Sequence, residues 1–377
     1  MGAWPGKVIL GLTGNIATGK SVVRKMLEHL GAYGIDADAL AHRALAQGAP
    51  GYQPVVDTFG QWILGQDGQI DRSRLGRVVF ADAAALAQLE AIIHPFVRQA
   101  IDLLVRRAPQ KVIVIEAIKL LEGPLKTACD SIWVTTAPIE VQAARLVQKR
   151  GMTLEGARQR IRAQSPQEVK LAQAHIVIRN DGSFEDTWRQ VLAGWQKVFP
   201  GVSVEPERGT PAPAHQPVVE RAGPRQALEI AELVTRLSKG RHSMTRADAM
   251  AAFGEKAFLL LRVDGKPVGL AGWQVENLVA RTSDVYLEPG LALSEPMKVL
   301  VEAIERASDE LQCEVILMFL SPNLARQESV WNALGYELRA PQNLGVRAWQ
   351  EAAVESMPPG TVMLFKQLRK DRVLRPI

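Results

Sequence analysis

Gly14-Asn15-Ile16-Ala17-Thr18-Gly19-Lys20-Ser21 decides how this chain is read. It fills every fixed position of G-x-x-x-x-G-K-[ST], and it lies between a short apolar run, Lys7–Leu12, and a stretch of helical spacing, Gly19–Leu30. A strand that turns through glycines into a helix aims its backbone N–H groups, and the positive end of the helix dipole, at an anion. In such a loop Lys20 reaches the β- and γ-phosphates of a nucleotide, and the Ser21 hydroxyl can hold Mg²⁺. The competing reading is a glycine-rich turn with no ligand; four matched positions in the right flanks argue against it.

Outward from the loop, short apolar strands alternate with helices. Tyr33–Ile35, Val112–Ile115, Ile132–Thr135 and His175–Ile178 read as strands. Helical spacing begins near Ala39 and covers Leu75–Arg107 (with an expected break at His94-Pro95), Ile139–Lys149, Thr153–Gln164 and Phe184–Val198. This pattern predicts an α/β domain over 1–199, a parallel sheet flanked by helices, with ligands at the carboxyl ends of the strands. Six prolines between Pro200 and Pro224 read as a linker over 200–224, which few contacts are expected to cross. The remainder, 225–377, reads as a separate α+β domain. Its helices are Ala227–Leu237, Met297–Glu310 and Leu324–Leu334, and its strands Ala257–Val263, Lys266–Trp273, Asp284–Leu287, Glu314–Leu320 and Val362–Gln367.

Composition sets bounds on function. The chain has 377 residues, 47% hydrophobic and 23% charged, which suits two domains with real cores. The longest apolar runs are strand-sized, and no signal segment is read at the start, so the expectation is a cytoplasmic protein with no membrane partner. Cys129 and Cys313 offer neither metal spacing nor a disulfide framework. A net charge of +5 suits an anionic ligand, and nucleic acid is not among the expected partners. Nothing in the sequence fixes an oligomeric state.

The chemistry is carried by charged groups near the strand ends. Asp36 and Asp38 follow the second strand, where a carboxylate faces the phosphate loop and can accept a proton from an acceptor hydroxyl. The expected division puts Asp36 at the site and Asp38 partly in a helix cap. The apolar strand Val112–Glu116 also ends on a carboxylate, and no N-K-x-D segment reads guanine. One nucleotide loop in about 200 residues favours a small-molecule kinase. Arg145, Lys149, Arg150, Arg158, Arg160 and Arg162 crowd one stretch; most suit a solvated face, and Arg145 is the first candidate to close over the transferring group.

These residues, in this order, resemble dephospho-coenzyme A kinase, a P-loop kinase family, over about 7–199. The resemblance runs from the loop Gly11–Ser21 through Ile35-Asp36-Ala37-Asp38 with His42 and Arg43, Phe59-Gly60, Arg77–Phe80, His94-Pro95, Glu122, Arg145, Arg160-Ile161 with Gln164, and Ile178-x-Asn180-x-Gly182. Two departures stand out. Ile118-Lys119-Leu120-Leu121-Glu122 lacks the family's proline, and Ala174-His175 replaces its Ala-Asp. The resemblance implies ATP and Mg²⁺ as cofactors and dephospho-CoA as acceptor, phosphorylated on its ribose 3′-hydroxyl. It implies a helical acceptor-binding part at about 57–104 and a lid at about 149–171. By carry-over Lys20, Asp36 and Arg145 are catalytic. Gly14, Asn15, Ile16, Ala17, Thr18, Gly19, Lys20, Ser21, Asn180 and Gly182 bind the nucleotide. Asp36, Asp38, His94 and Glu122 bind the acceptor, and Ser21 serves the metal. For His94 a purely structural turn is the competing reading.

Residues 225–377 resemble, more weakly, the Gcn5-related acetyltransferase fold, through Pro322-Asn323-x-Ala325 and Trp331–Glu337. The family's pyrophosphate-binding turn would fall on Glu288–Pro296, which has one glycine and two acidic residues. Carboxylates there repel a pyrophosphate, so acetyl transfer is not expected. The alternatives that stay open are an N-acetyltransferase or a CoA binder for this domain, and a kinase of another nucleotide or nucleoside, or a nucleotide-binding regulator, for the first.

Overall fold

A computed structural model describes residues 3–200, 216–288, 294–371, 373 and 374. The first part of the chain runs through β1 (Val8–Thr13), α1 (Lys20–His29), β2 (Tyr33–Asp36), α2 (Ala37–Ala44), α3 (Tyr52–Phe59), α4 (Arg72–Val79) and α5 (Ala83–Arg107). It continues with β3 (Val112–Glu116), β4 (Ser131–Thr136), α6 (Ile139–Arg150), α7 (Leu154–Arg162), α8 (Gln167–Leu171), β5 (Ile176–Arg179) and α9 (Phe184–Val198). The five strands are parallel in the order β2-β3-β1-β4-β5. Both faces of the sheet are covered, which is why β1 and β3 read as near-continuous apolar runs. One core joins the sheet to α2 and α5, the other to α1 and α9. Because β1 is central, its carboxyl end, and the loop that follows, opens between the ends of β3 and β4.

The expected break at His94-Pro95 does not occur. Helix α5 is continuous, with Pro95 inside it, and Leu75 belongs to the separate α4, whose N-cap Asp71 accepts from the Ser73 and Arg74 amides. Proline removes one helical bond, but the buried stripe from Ile93 through Val97 and Ile101 to Leu104 holds both halves against one core.

The second part contains β6 (Val218–Ala222), α10 (Ala227–Leu237), α11 (Arg246–Ala252), β7 (Ala257–Val263), β8 (Lys266–Glu276), β9 (Val279–Leu287) and α12 (Ser294–Glu310). Then follow β10 (Val315–Leu320), α13 (Pro322–Ala325), α14 (Glu328–Ala333), β11 (Glu337–Leu338), α15 (Arg347–Ser356) and β12 (Val362–Gln367). They form one mixed sheet in the order β11-β12-β10-β9-β8-β7-β6, in which β9 and β10 are the parallel pair. That ladder covers Val279–Thr282 against Val315–Met318 only; beyond it β9 runs on to Leu287, paired with β8 on its other edge. The α+β expectation holds. The stretch expected to replace a pyrophosphate turn lies, at 289–293, outside the described residues; Glu288 pairs with Arg236.

Two expectations about the boundary need correction. Val218–Ala222, placed in the linker, is an edge strand antiparallel to β7, so the second domain begins near residue 217. An edge position tolerates the flanking Pro217 and Pro224, which is why the proline count misled. Nor is the boundary sparsely crossed. Leu278 and Leu374 are buried within the first domain's core, with Leu311 and Val373 packed against it. His29 Nε2 donates to the Phe253 carbonyl at 2.8 Å, and Tyr33 Oη to that of Leu311 at 3.3 Å. The Arg43 guanidinium pairs with Glu314, whose side chain is 1% exposed, and donates to the Asn277 carbonyl.

Candidate active site

The loop after β1 takes the backbone shape its glycines permit. Gly14 has φ 152° and Gly19 φ 92°, and Ala17 takes φ 59° between them. A side chain at Gly14 would collide with Thr135, and one at Gly19 with the Asn180 amide, so both positions require glycine for space as well as for φ. The Thr18 hydroxyl bonds that of Thr135 at 2.7 Å and the Asn15 carbonyl at 2.8 Å. Asn180 Nδ2 donates to the Thr18 carbonyl at 3.0 Å, and its Oδ1 accepts from Thr187. Arg145 donates to the Ala17 and Asn180 carbonyls, at 3.1 and 2.8 Å. The structure therefore places Arg145 with Asn180 on one flank of the loop, as a clamp between it and the end of β5. Gly182 lies in the next turn, against Asp186 of the box that caps α9.

Carboxylates gather at the other end of the loop. Strand register puts Glu116 beside Leu12 on one side and Asp36 on the other. Glu116 Oε1 accepts from Ser21 Oγ at 3.1 Å, and Oε2 from Arg24 Nε at 2.8 Å. Asp36 is itself the N-cap of α2, accepting from the Ala39 amide at 2.8 Å, while Asp38 accepts from the Ile118 amide at 3.0 Å. The expected division of labour is thus corrected. Asp36 has the extended backbone of a cap, whereas Asp38 is already in the first turn and turns its carboxylate toward β3's exit.

These groups tune one another. Burial, then Glu116, pushes the Asp36 carboxyl up to about 6, against the pull of Arg24 and the Ala39 amide. Burial also raises Asp38, opposed by its Ile118 bond and by Lys20. The Lys20 ammonium is lowered by burial, and Glu116, Asp38 and Asp36 oppose that shift. Lys20 Nζ donates to the Asn15 carbonyl at 3.3 Å. Lys20, Asp36, Asp38 and Glu116 are therefore one electrostatic cluster beside the loop.

Helix α7 and the turn that follows it lie against the loop. Gln164 Oε1 accepts from the Ile16 amide at 2.7 Å, Asn15 Nδ2 donates to the Ser165 carbonyl, and Ile16 packs with Leu146 and Ile161. Lys170, on α8, is buried with Nζ 3.0 Å from the Ile118 carbonyl, and burial followed by the Lys20 charge lowers its pKa. Arg150 acts on Lys20 electrostatically, while Arg158 pairs with Glu140 on the surface.

Sequence reasoning left Arg24 and Lys170 out and saw Glu116 only as a strand-ending carboxylate. Glu122 is exposed, 3.4 Å from Ser165 Oγ, and reaches Lys170 through its charge. His94 is exposed in mid-helix, in no turn, and the cluster does not include it. Of the two sequence departures, His175 has a structural account: its Nδ1 accepts the Ile132 amide at 2.9 Å, a bond a carboxylate would also accept.

A metal fits this donor set modestly. Among the described residues no group of three or more His, Cys, Asp or Glu forms a metal cage. Ser21 Oγ with Glu116 nearby offers the hard oxygens that Mg²⁺ prefers, leaving the other ligand positions to phosphate and water.

Comparison with known proteins places this geometry. The family model described as dephospho-CoA kinase matches residues 8–186. A dephospho-CoA kinase from Geobacter sulfurreducens is 42% identical over 195 residues, 51% of this chain and 99% of its own length. One from Carboxydothermus hydrogenoformans is 43% identical over 192 residues, 50% of this chain and 93% of its own. The crystal structure of the PaiA N-acetyltransferase from Thermoplasma acidophilum with coenzyme A covers 40% of this chain and 99% of its own, at 10% identity and a TM-score of 0.30. A loop built for phosphate, a carboxylate cluster at the ends of β2 and β3, and relatives matched over nearly their whole length lead to one conclusion: the chain belongs to the dephospho-CoA kinase family.

Proposed function

We propose that this chain transfers the γ-phosphoryl group of ATP to the ribose 3′-hydroxyl of dephospho-CoA, giving CoA and ADP. The observation that carries the reading is the cluster of Lys20, Asp36, Asp38 and Glu116 beside a complete phosphate loop. Asp36 accepts the hydroxyl proton as the hydroxyl oxygen attacks the γ-phosphorus, and the bond to the leaving ADP oxygen breaks. Asp38 and the Asp36 carboxylate orient the acceptor. Lys20 and the loop amides hold the phosphates, and Lys170 and Arg150 add positive charge at the transfer end. Arg145, Asn180 and Gly182 serve the nucleotide from the opposite flank. Mg²⁺, when bound at Ser21, neutralises phosphate charge. His94 and Glu122 remain proposed acceptor contacts.

An ionised Asp36 is required, so kcat/KM of the free enzyme should fall about tenfold per pH unit below pH ~6, where burial and Glu116 place this carboxyl at about 6. The sign for stability is opposite. The folded group holds its proton more tightly than the unfolded one, so its contribution favours the fold below the unfolded value of 3.8 and is lost as pH rises through about 6. An acid limb below pH ~5 in kcat/KM would contradict the assignment of Asp36 as base.

A coupled ADP-release assay across dephospho-CoA, adenosine and nucleoside monophosphates tests the acceptor. Strong turnover of another acceptor with none of dephospho-CoA contradicts the reading. The second domain is proposed to perform no acetyl transfer, because Glu288 and Glu295 fall in the stretch that corresponds to the family's pyrophosphate turn and carboxylates repel that anion. Incubating the full chain with acetyl-CoA and an amine tests this: acetyl transfer would overturn it. No helix among the described residues is long and apolar enough to cross a membrane, and the proposed setting is the cytoplasm.

A further inference from the structure

The turn joining β8 to β9 is Asn277-Leu278, with φ 53° and 62°. Two positive φ values in a two-residue hairpin loop suit Asn or Gly; a leucine there is uncommon and strained. Its side chain explains the choice. Leu278 is 8% exposed and buried in the first domain's core, and it lines a narrow interdomain cleft with Tyr33, Leu40 and Leu104. Asp36 and Arg24 line the same cleft. The hairpin tip is thus a plug from one domain inserted behind the catalytic carboxylates of the other.

From the same hairpin a continuous chain of hydrogen bonds reaches the phosphate loop. Lys25 Nζ donates to the Val275 carbonyl at 2.9 Å and to Glu28 Oε2 at 2.8 Å. Arg24 donates to Glu28 Oε1 at 2.6 Å and, through Nε, to Glu116 Oε2 at 2.8 Å. Glu116 Oε1 then accepts from Ser21 at 3.1 Å. All four intermediate side chains are mostly buried, at 13% exposure or less. Burial pushes the Glu28 carboxyl up, but Lys25 and Arg24 outweigh it and hold it at about 2. In a low-dielectric relay of this kind each member fixes its neighbour's orientation.

We propose that the second domain is a built-in positioning element of the kinase: its β8–β9 hairpin, through Leu278 and the relay Lys25–Glu28–Arg24, fixes Glu116 against Ser21. Lys25, Glu28 and Leu278 are positioning residues, because none touches the reacting atoms. The inference rests on the kinase reading and adds a role for the second domain that needs no ligand there. It also predicts a division in the kinetics. Substrate contacts stay in place, so the loss falls on kcat and on the Mg²⁺ requirement, which depends on Ser21 and Glu116, and not on the acceptor's KM.

The test uses the full chain and its variants Leu278→Gly, Lys25→Met and Lys25→Arg, with Arg246→Ala as control. Arg246 forms a different, exposed cross-domain pair with Glu185. Thermal melts establish folding first; if Lys25→Met fails to fold, Leu278→Gly decides, since glycine accepts the positive φ and leaves the hairpin intact. Leu278→Gly and Lys25→Met are expected to lower kcat about tenfold and raise half-saturating Mg²⁺ several-fold, with the dephospho-CoA KM within about twofold. Lys25→Arg should restore most of kcat, and Arg246→Ala should match the wild type. A folded Leu278→Gly with kcat and Mg²⁺ dependence within about twofold of wild type overturns the inference alone. A wild type inactive on dephospho-CoA overturns the functional reading and this inference with it.

Discussion

Asp36→Asn is expected to fold normally and to lose turnover by roughly 10²–10⁴, the range typical of removing an oriented general base. Asparagine keeps the oxygen that accepts the Ala39 amide at 2.8 Å, and asparagine is among the best N-caps, so helix α2 should start unchanged. It also removes a buried charge that burial and Glu116 disfavour, so the variant should be no less stable than wild type near neutral pH. What it lacks is a site for the acceptor proton. Single-turnover rates beside thermal melts check both halves. A stable variant with near-normal turnover would move the base role to Asp38, which shares the cluster and the influence of Lys20.

Glu116→Ala is the substitution expected to cost most stability. The Arg24 and Glu116 side chains are 7% and 5% exposed, and the pair closes at 2.8 Å. Deleting the carboxylate leaves a buried guanidinium ion-paired, among the described residues, only to Glu28, and breaking a buried pair from one side typically costs about 3–5 kcal/mol. Ser21 loses its partner at the same time, so turnover should fall with stability. Glu116→Gln, which keeps an acceptor for Arg24 Nε, should cost less. Denaturant titration of the two variants distinguishes the account from one in which Glu116 is an ordinary strand end: that view predicts similar, small losses for both.

The loop, the parallel sheet and Asp36 were legible because each is a local signal. A glycine pattern between a strand and a helix states its own backbone, and a carboxylate that ends an apolar strand states its own position. What lay beyond reading was relational. Glu116 was visible as a strand-ending carboxylate, but its place beside Asp36 follows from β2 pairing with β3 across the whole helical insertion. Lys170 sits on a short helix with no motif, and only the packing of α8 brings it to Ile118. The break expected at Pro95 failed because tertiary burial of α5 overrode a local penalty. The boundary was misjudged for a similar reason. Prolines mark where a chain leaves regular structure, but they are silent about what the domains do once they fold back on each other. Arg43 and Glu314, 271 residues apart, look like two unrelated surface charges until they form one buried pair.

The most direct test of the account is to incubate the purified chain with ATP, Mg²⁺ and dephospho-CoA and to locate the new phosphate in the product. The expected product is CoA, formed by phosphorylation of dephospho-CoA on its ribose 3′-oxygen, with one ADP per CoA, and the Asp36→Asn variant should form it roughly 10²–10⁴ times more slowly at matched enzyme concentration. ADP release without a phosphorylated acceptor, or a phosphate at another position, would contradict it.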